Sequence, residues 1–90
     1  MAERDIRALL KERVEAYGGE VRAVAWIGRR HAPDVLVLFN NGSHVFIETK
    51  APGGHPTPGQ EREHARMRAA GCTVLVISTL SQLESWLPTI

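Results

Sequence analysis

Apolar positions in the first seventeen residues recur at helical spacing, with Ile6, Leu9, Leu10, Val14 and Tyr17 forming one stripe among charged residues. The spacing predicts a helix from residue 3 to about 17, stopped by Gly18 and Gly19. VRAVAWI, residues 21–27, reads as a strand with Val21, Ala23, Ala25 and Ile27 on one face. A basic loop runs from Gly28 to Pro33, and Asp34 then opens VLVLF. Such a continuous apolar run suits a central strand buried on both faces. Asn40, Asn41 and Gly42 predict a hairpin turn into a third strand, HVFIETK. After the loop APGGHP, Thr57, Pro58 and Gln60 mark a helix start as N-cap, first helical residue and capping-box partner. That helix extends to Gly71, CTVLVIS forms a fourth buried strand, and Ser81 to Leu87 form a short helix ended by Pro88.

The predicted order is α-β-β-β-α-β-α. The first three strands suit an antiparallel meander, and the helix before the fourth suits a right-handed crossover to a parallel strand. The expected fold class is α/β, a mixed β-sheet flanked by helices, in a single domain over residues 1–90. A domain of this size has a modest core and often gains stability by oligomerising.

Composition narrows the function little. The hydrophobic fraction of 43% and charged fraction of 23% are those of an ordinary globular protein, and a net charge of +1 steers it toward neither nucleic acid nor membrane. The placement of charge says more, because Arg22, Arg29, Arg30 and Lys50 gather in the segment that holds Asp34 and Glu48. The single Cys72 excludes an internal disulfide framework and paired-cysteine zinc sites, and is expected to be a small buried hydrophobe in its strand. With no bilayer-spanning run and no leader-like start, the expected location is cytoplasmic.

The segment FIETK carries the candidate chemistry. Glu48 and Lys50 project from one face of a strand, and antiparallel pairing brings Asp34 beside Glu48. Two carboxylates so placed repel unless a cation lies between them. Hard ions such as Mg²⁺ choose few carboxylates, waters and backbone carbonyls, here including that of Thr49. A neighbouring Lys50 can hold the attacking water and neutralise charge on a phosphate, a set that fits metal-assisted phosphodiester hydrolysis. The same residues also suit a solvated ion pair of little consequence. Pro33 before Asp34 and the glycine-rich loop after Lys50 favour a site. Arg29 and Arg30 either contact flanking phosphates or form a solvated loop pair. His55, beside Lys50, is a further candidate DNA contact, and His64, one turn beyond Gln60, shares its helix face. The histidines lack zinc spacing. Trp26 and Trp86 are expected to pack, Trp26 against the first helix or a partner subunit.

The blocks W-I-G-R-R-H-A-P-D, F-I-E-T-K-A-P-G and P-x-P-x-Q-x-x-E-H-x-x-M-R-x-x-G, in that order, strongly resemble the virus-type replication-repair nuclease (VRR-NUC) domain. This is a family of the PD-(D/E)-x-K, restriction-endonuclease-like superfamily, and the chain is similar to its small stand-alone phage and bacterial members. The resemblance runs from Glu3 to the V-L-V-I-S strand. It implies Asp34 and Glu48 as metal ligands, Lys50 as the motif lysine, and Gln60 as the glutamine close to the site. Glu3 matches the acidic residue of the first helix that often touches metal through water; Glu15 and Glu20 compete for that role, but only Glu3 keeps the E-x-x-I register. Some positions depart from the family pattern: His31 for a usual Gly, Val35 for a common Arg, Ala23 for a frequent Lys, and Thr49 and Gly59 for usual Leu. The resemblance implies a Mg²⁺- or Mn²⁺-dependent endodeoxyribonuclease acting on branched DNA, with four-way (Holliday) junctions cut by a homodimer as the favoured substrate. Cleavage of flaps or forks, a non-catalytic DNA-binding module and a small interaction domain are the alternatives. Neither a membrane nor any further protein partner is implied.

Overall fold

The apolar stripe near the N-terminus folds as α1 (Glu3–Ala16), burying Ile6, Leu10 and Val14. In the computed structural model, which describes residues 1–89, four strands follow: β1 (Glu20–Ala23), β2 (Val35–Leu38), β3 (His44–Thr49) and β4 (Val74–Ile77). Between β3 and β4 lies α2 (Pro58–Ala69), and after β4 come α3 (Leu80–Trp86) and a 3-10 turn at Leu87–Thr89. The strands lie in sequence order in one sheet, antiparallel except for the parallel β3–β4 pair. The expected meander and crossover are therefore present.

Alternation along the strands sorts the two faces. Val35, Val37, Val45, Ile47 and Ile77 share one core with Ile6, Leu10 and Val14 of α1 and with Leu83 and Leu87. Each such aliphatic side chain contributes roughly 1.5–3 kcal/mol on burial, so this face holds the fold together. The opposite face carries Leu36, Phe46 and Glu48, and α2 packs on it beside β4. Thr57 and Gln60 form the predicted capping box, with Thr57 Oγ1 accepting from the Gln60 amide and Gln60 Oε1 from the Thr57 amide, at 3.1 and 3.0 Å.

Four sequence expectations are corrected. The first strand ends at Ala23 rather than Ile27, and Ile27 is fully exposed. Its last rung runs from the Val24 amide to the Asp34 carbonyl; beyond it Trp26 turns onto Phe46, at 5.6 Å between ring centroids, and its Nε1 donates to the Pro33 carbonyl. Trp26 therefore packs on the sheet, not on α1. Cys72 precedes β4 and is half-buried, because pairing with β3 begins only near Val74. The last helix starts at Leu80, where Thr79 and Gln82 make a second, unanticipated capping box.

Candidate active site

The Asn-Gly hairpin fixes the register Val35↔Ile47, and one step further places Asp34 opposite Glu48. Pro33, one residue further, lies outside the paired residues and makes no rung with Thr49. The rungs of β3 alternate: Phe46 and Lys50 donate to β4, so residues 45, 47 and 49 face β2. Among the described residues no donor reaches the Thr49 carbonyl where the two carboxylates meet, and Pro33 has no N–H to give it. The proline before the aspartate thus frees a backbone oxygen at the site.

Glu48 is 7% exposed, and among the described residues its side chain makes no hydrogen bond. Lys50 Nζ lies 4.0 Å from its Oε2 and His64 Nε2 3.6 Å from its Oε1. Burial lifts its carboxyl above the ordinary value; Lys50 opposes this, and the Asp34 and Glu3 carboxylates add to it. Lys50 is held from behind by the loop after it: Gly54 donates to the Ala51 carbonyl at 2.8 Å, and a Cβ at Gly54 would lie 3.3 Å from Lys50 Cβ.

Asp34 is exposed and pairs with Arg7 of α1, Nη2 to Oδ1 at 3.0 Å. The same guanidinium nitrogen reaches Thr49 Oγ1 at 3.4 Å, and that hydroxyl donates to Glu3 Oε1 at 3.1 Å. The first turns of α1 therefore lie over the strand ends, and Glu3, Arg4, Arg7 and Asp34 line an open cleft there. Glu3 joins the cluster, whereas Glu15 lies at the far end of α1 and Glu20 pairs with Arg22. The Gln60 side chain is engaged in its capping box.

The basic loop is pinned to α2. Arg29 donates twice to the buried Glu63, Nε to Oε2 at 2.9 Å and Nη2 to Oε1 at 2.8 Å, and Arg66 binds the same carboxylate at 3.0 Å. The Arg29 hydrogen bond is the first cause that holds the Glu63 carboxyl down at about 2. Arg30 and His55 are exposed. His31 adopts a left-handed φ of 68°, and its ring covers Gly59. Two departures from the family pattern thus meet: a ring stands where residue 31 is usually glycine, over a glycine where a leucine is usual.

No sequence signal marked Arg7, and the block that contains Glu63 and His64 pointed neither to Arg29 nor to Glu48. Each partner is brought in by packing between elements distant in the chain, and only the period of α1 could have placed Arg7 one turn from Glu3.

Among the described residues, no three His, Cys, Asp or Glu side chains are gathered closely enough to hold an ion as they stand. A hard divalent ion needs only one or two carboxylates beside waters and backbone oxygens. Asp34, a buried and unbonded Glu48 carboxylate and the Thr49 carbonyl meet that need, so the donor set fits Mg²⁺ or Mn²⁺. Among the described residues, no helix is long and apolar enough to cross a membrane.

No family model matches the chain. Over 88 residues it is 43% identical to a protein named "Putative nuclease p44", from Acyrthosiphon pisum secondary endosymbiont phage 1, an alignment spanning 98% of this chain and 94% of that protein. A solved structure described as a VRR_NUC domain superposes with a TM-score of 0.87 at 38% identity, covering 96% of this chain and 94% of the other.

Proposed function

The chain belongs to the VRR-NUC nuclease family, and on that premise we propose that its strand-end cluster hydrolyses phosphodiesters of branched DNA with a divalent ion bound. The observation that carries the proposal is the meeting of Asp34, the buried Glu48 carboxylate and the donor-free Thr49 carbonyl at adjacent strand ends. Binding alone requires no paired carboxylates, which favours an enzyme over a DNA-binding module.

Asp34, Glu48 and the Thr49 carbonyl would hold Mg²⁺ or Mn²⁺, with Glu3 beside them acting through water. The ion supplies Lewis-acid charge at the scissile phosphate and lowers the pKa of its water. Lys50, backed by its glycine turn, keeps its ammonium near Glu48, where it orients the attacking water and offsets charge developing on the phosphate. Arg30 and His55 are free to meet flanking phosphates; Arg29 serves first to hold the loop. Four-way junctions cut by a homodimer are the favoured substrate. The exposed Ile27 beside half-buried Trp26 supports a partner surface, and a two-fold dimer matches a two-fold junction.

The test is Mg²⁺- and Mn²⁺-dependent cleavage of a labelled four-way junction, with linear duplex and flap controls and Lys50→Ala in parallel. Paired junction nicks that vanish in the variant are expected. Cleavage of flaps alone would keep the site and overturn the junction-cutting dimer. Binding without cleavage of any substrate would overturn the enzyme.

A further inference from the structure

His64 takes no part in the chemistry described so far, yet its position calls for a reason. It sits on α2 and is 1% exposed. Among the described residues, its Nε2 is the one buried side-chain nitrogen or oxygen with no hydrogen-bond partner. An ordinary core histidine is satisfied, because a buried polar group left unpaired is costly. The acceptor facing Nε2 is Glu48 Oε1, at 3.6 Å, just beyond hydrogen-bond length. Glu48 is itself buried and unbonded. An unpartnered interior nitrogen and a largely buried carboxylate without a hydrogen bond therefore face each other across the sheet–helix contact.

We propose that His64 is a positioning residue for Glu48: its Nε2–H donates to Oε1 and fixes the rotation of the carboxylate, leaving Oε2 turned toward Lys50 and the bound ion. The inference rests on Glu48 being a metal ligand. In its neutral form an imidazole has a single N–H to give, and Nε2 is the ring nitrogen that faces the carboxylate. A ligating carboxylate is itself commonly held by such an outer hydrogen bond, whose loss lowers metal affinity or activity about 10–100-fold. The sequence supports the same geometry, since β3 presents Glu48 to α2, and the capping box sets where α2 begins.

The experiment titrates Mn²⁺ into metal-free protein by calorimetry and thermal shift, for the wild type, His64→Phe and His64→Gln. Phenylalanine keeps the ring volume and removes the donor. It is expected to weaken Mn²⁺ binding about tenfold or more, with the metal-free melting temperature unchanged or higher. Glutamine, which keeps an N–H, is expected to restore most of the affinity. Nitrogen-15 NMR of the wild-type imidazole, which needs no variant, should show the proton on Nε2. Full Mn²⁺ affinity in His64→Phe, or a proton resting on Nδ1, overturns the proposal while leaving the metal site standing. A wild type that ignores Mn²⁺ overturns the metal reading of Asp34 and Glu48, and this inference with it.

Discussion

Replacing Gly59 by alanine tests whether the loop that delivers Pro33 and Asp34 is seated on α2. A Cβ at residue 59 would come within 2.9–3.0 Å of Nε2, Cδ2 and Cε1 of His31, closer than carbon atoms approach, so the ring has to leave. For the helix alone the change is favourable, because glycine costs about 1 kcal/mol relative to alanine. Against it stands the backbone of His31, whose φ of 68° is left-handed. That conformation costs an L-residue roughly 1–2 kcal/mol, which contact between the ring and α2 has to offset in part. Expelling the ring forfeits on the order of 1 kcal/mol of that compensation. Gly59→Ala in the wild type should therefore change stability by less than about 0.5 kcal/mol, the gain and loss nearly cancelling. In a His31→Gly background the full helix gain of about 1 kcal/mol should appear, a rise of roughly 4–8 °C in Tm for a domain of this size. The coupling of about 1 kcal/mol lies in the range for residues in contact. Urea and thermal unfolding of the four proteins measure it. Equal stabilisation by Gly59→Ala in both backgrounds would show that the ring does not rest on Gly59, and the anchored loop would be wrong.

Glu63 should make stability depend on pH in acid. Its folded pKa of about 2 lies below the ordinary 4.5, so its contribution is present above pH 4.5 and disappears as pH falls toward 2. Glu63→Gln should therefore unfold at lower urea than the wild type at pH 7, with the gap closing near pH 2; a constant gap would deny the Arg29 and Arg66 pairing. Glu48 has the opposite sign. Burial raises its folded pKa, so the folded state binds the extra proton and stability falls as pH rises above 4.5. Without metal, Glu48→Gln should melt above the wild type at neutral pH and match it below pH 4; with Mn²⁺ the order should reverse. Arg7→Ala should leave metal-free stability within about 1 kcal/mol, because its pair with Asp34 is exposed. It should also tighten Mn²⁺ binding by calorimetry, since the guanidinium occupies the carboxylate an ion needs; weaker binding would mean that Arg7 supports the ion rather than competing with it.

What the sequence made legible follows from short-range rules. Period two placed Glu48 with Lys50, the Asn-Gly turn fixed the register to Asp34, and Thr57 with Gln60 set the start of α2. Arg29 to Glu63 and Arg7 to Asp34 were not legible, because a long side chain finds its partner only once helices and loops are docked. The end of β1 was missed for a related reason: VRAVAWI keeps its strand pattern through Ile27, but the last rung is Val24 to Asp34, and Trp26 beyond it turns onto Phe46 and the Pro33 carbonyl. Pro33 connects these outcomes. It gives no rung to β3, so the Thr49 carbonyl is free where Glu48 and Asp34 meet. Its own carbonyl takes the Trp26 indole N–H at 2.7 Å, which turns the chain off the sheet and into the basic loop. That loop is then held on α2 by Arg29 and Glu63, with His31 over Gly59. A substitution at Pro33 that restores the N–H would therefore offer the Thr49 carbonyl a donor and remove an oxygen from the site. Its loss of Mn²⁺ affinity should exceed what any change in fold stability explains, because the ligand would be lost to a hydrogen bond rather than to unfolding.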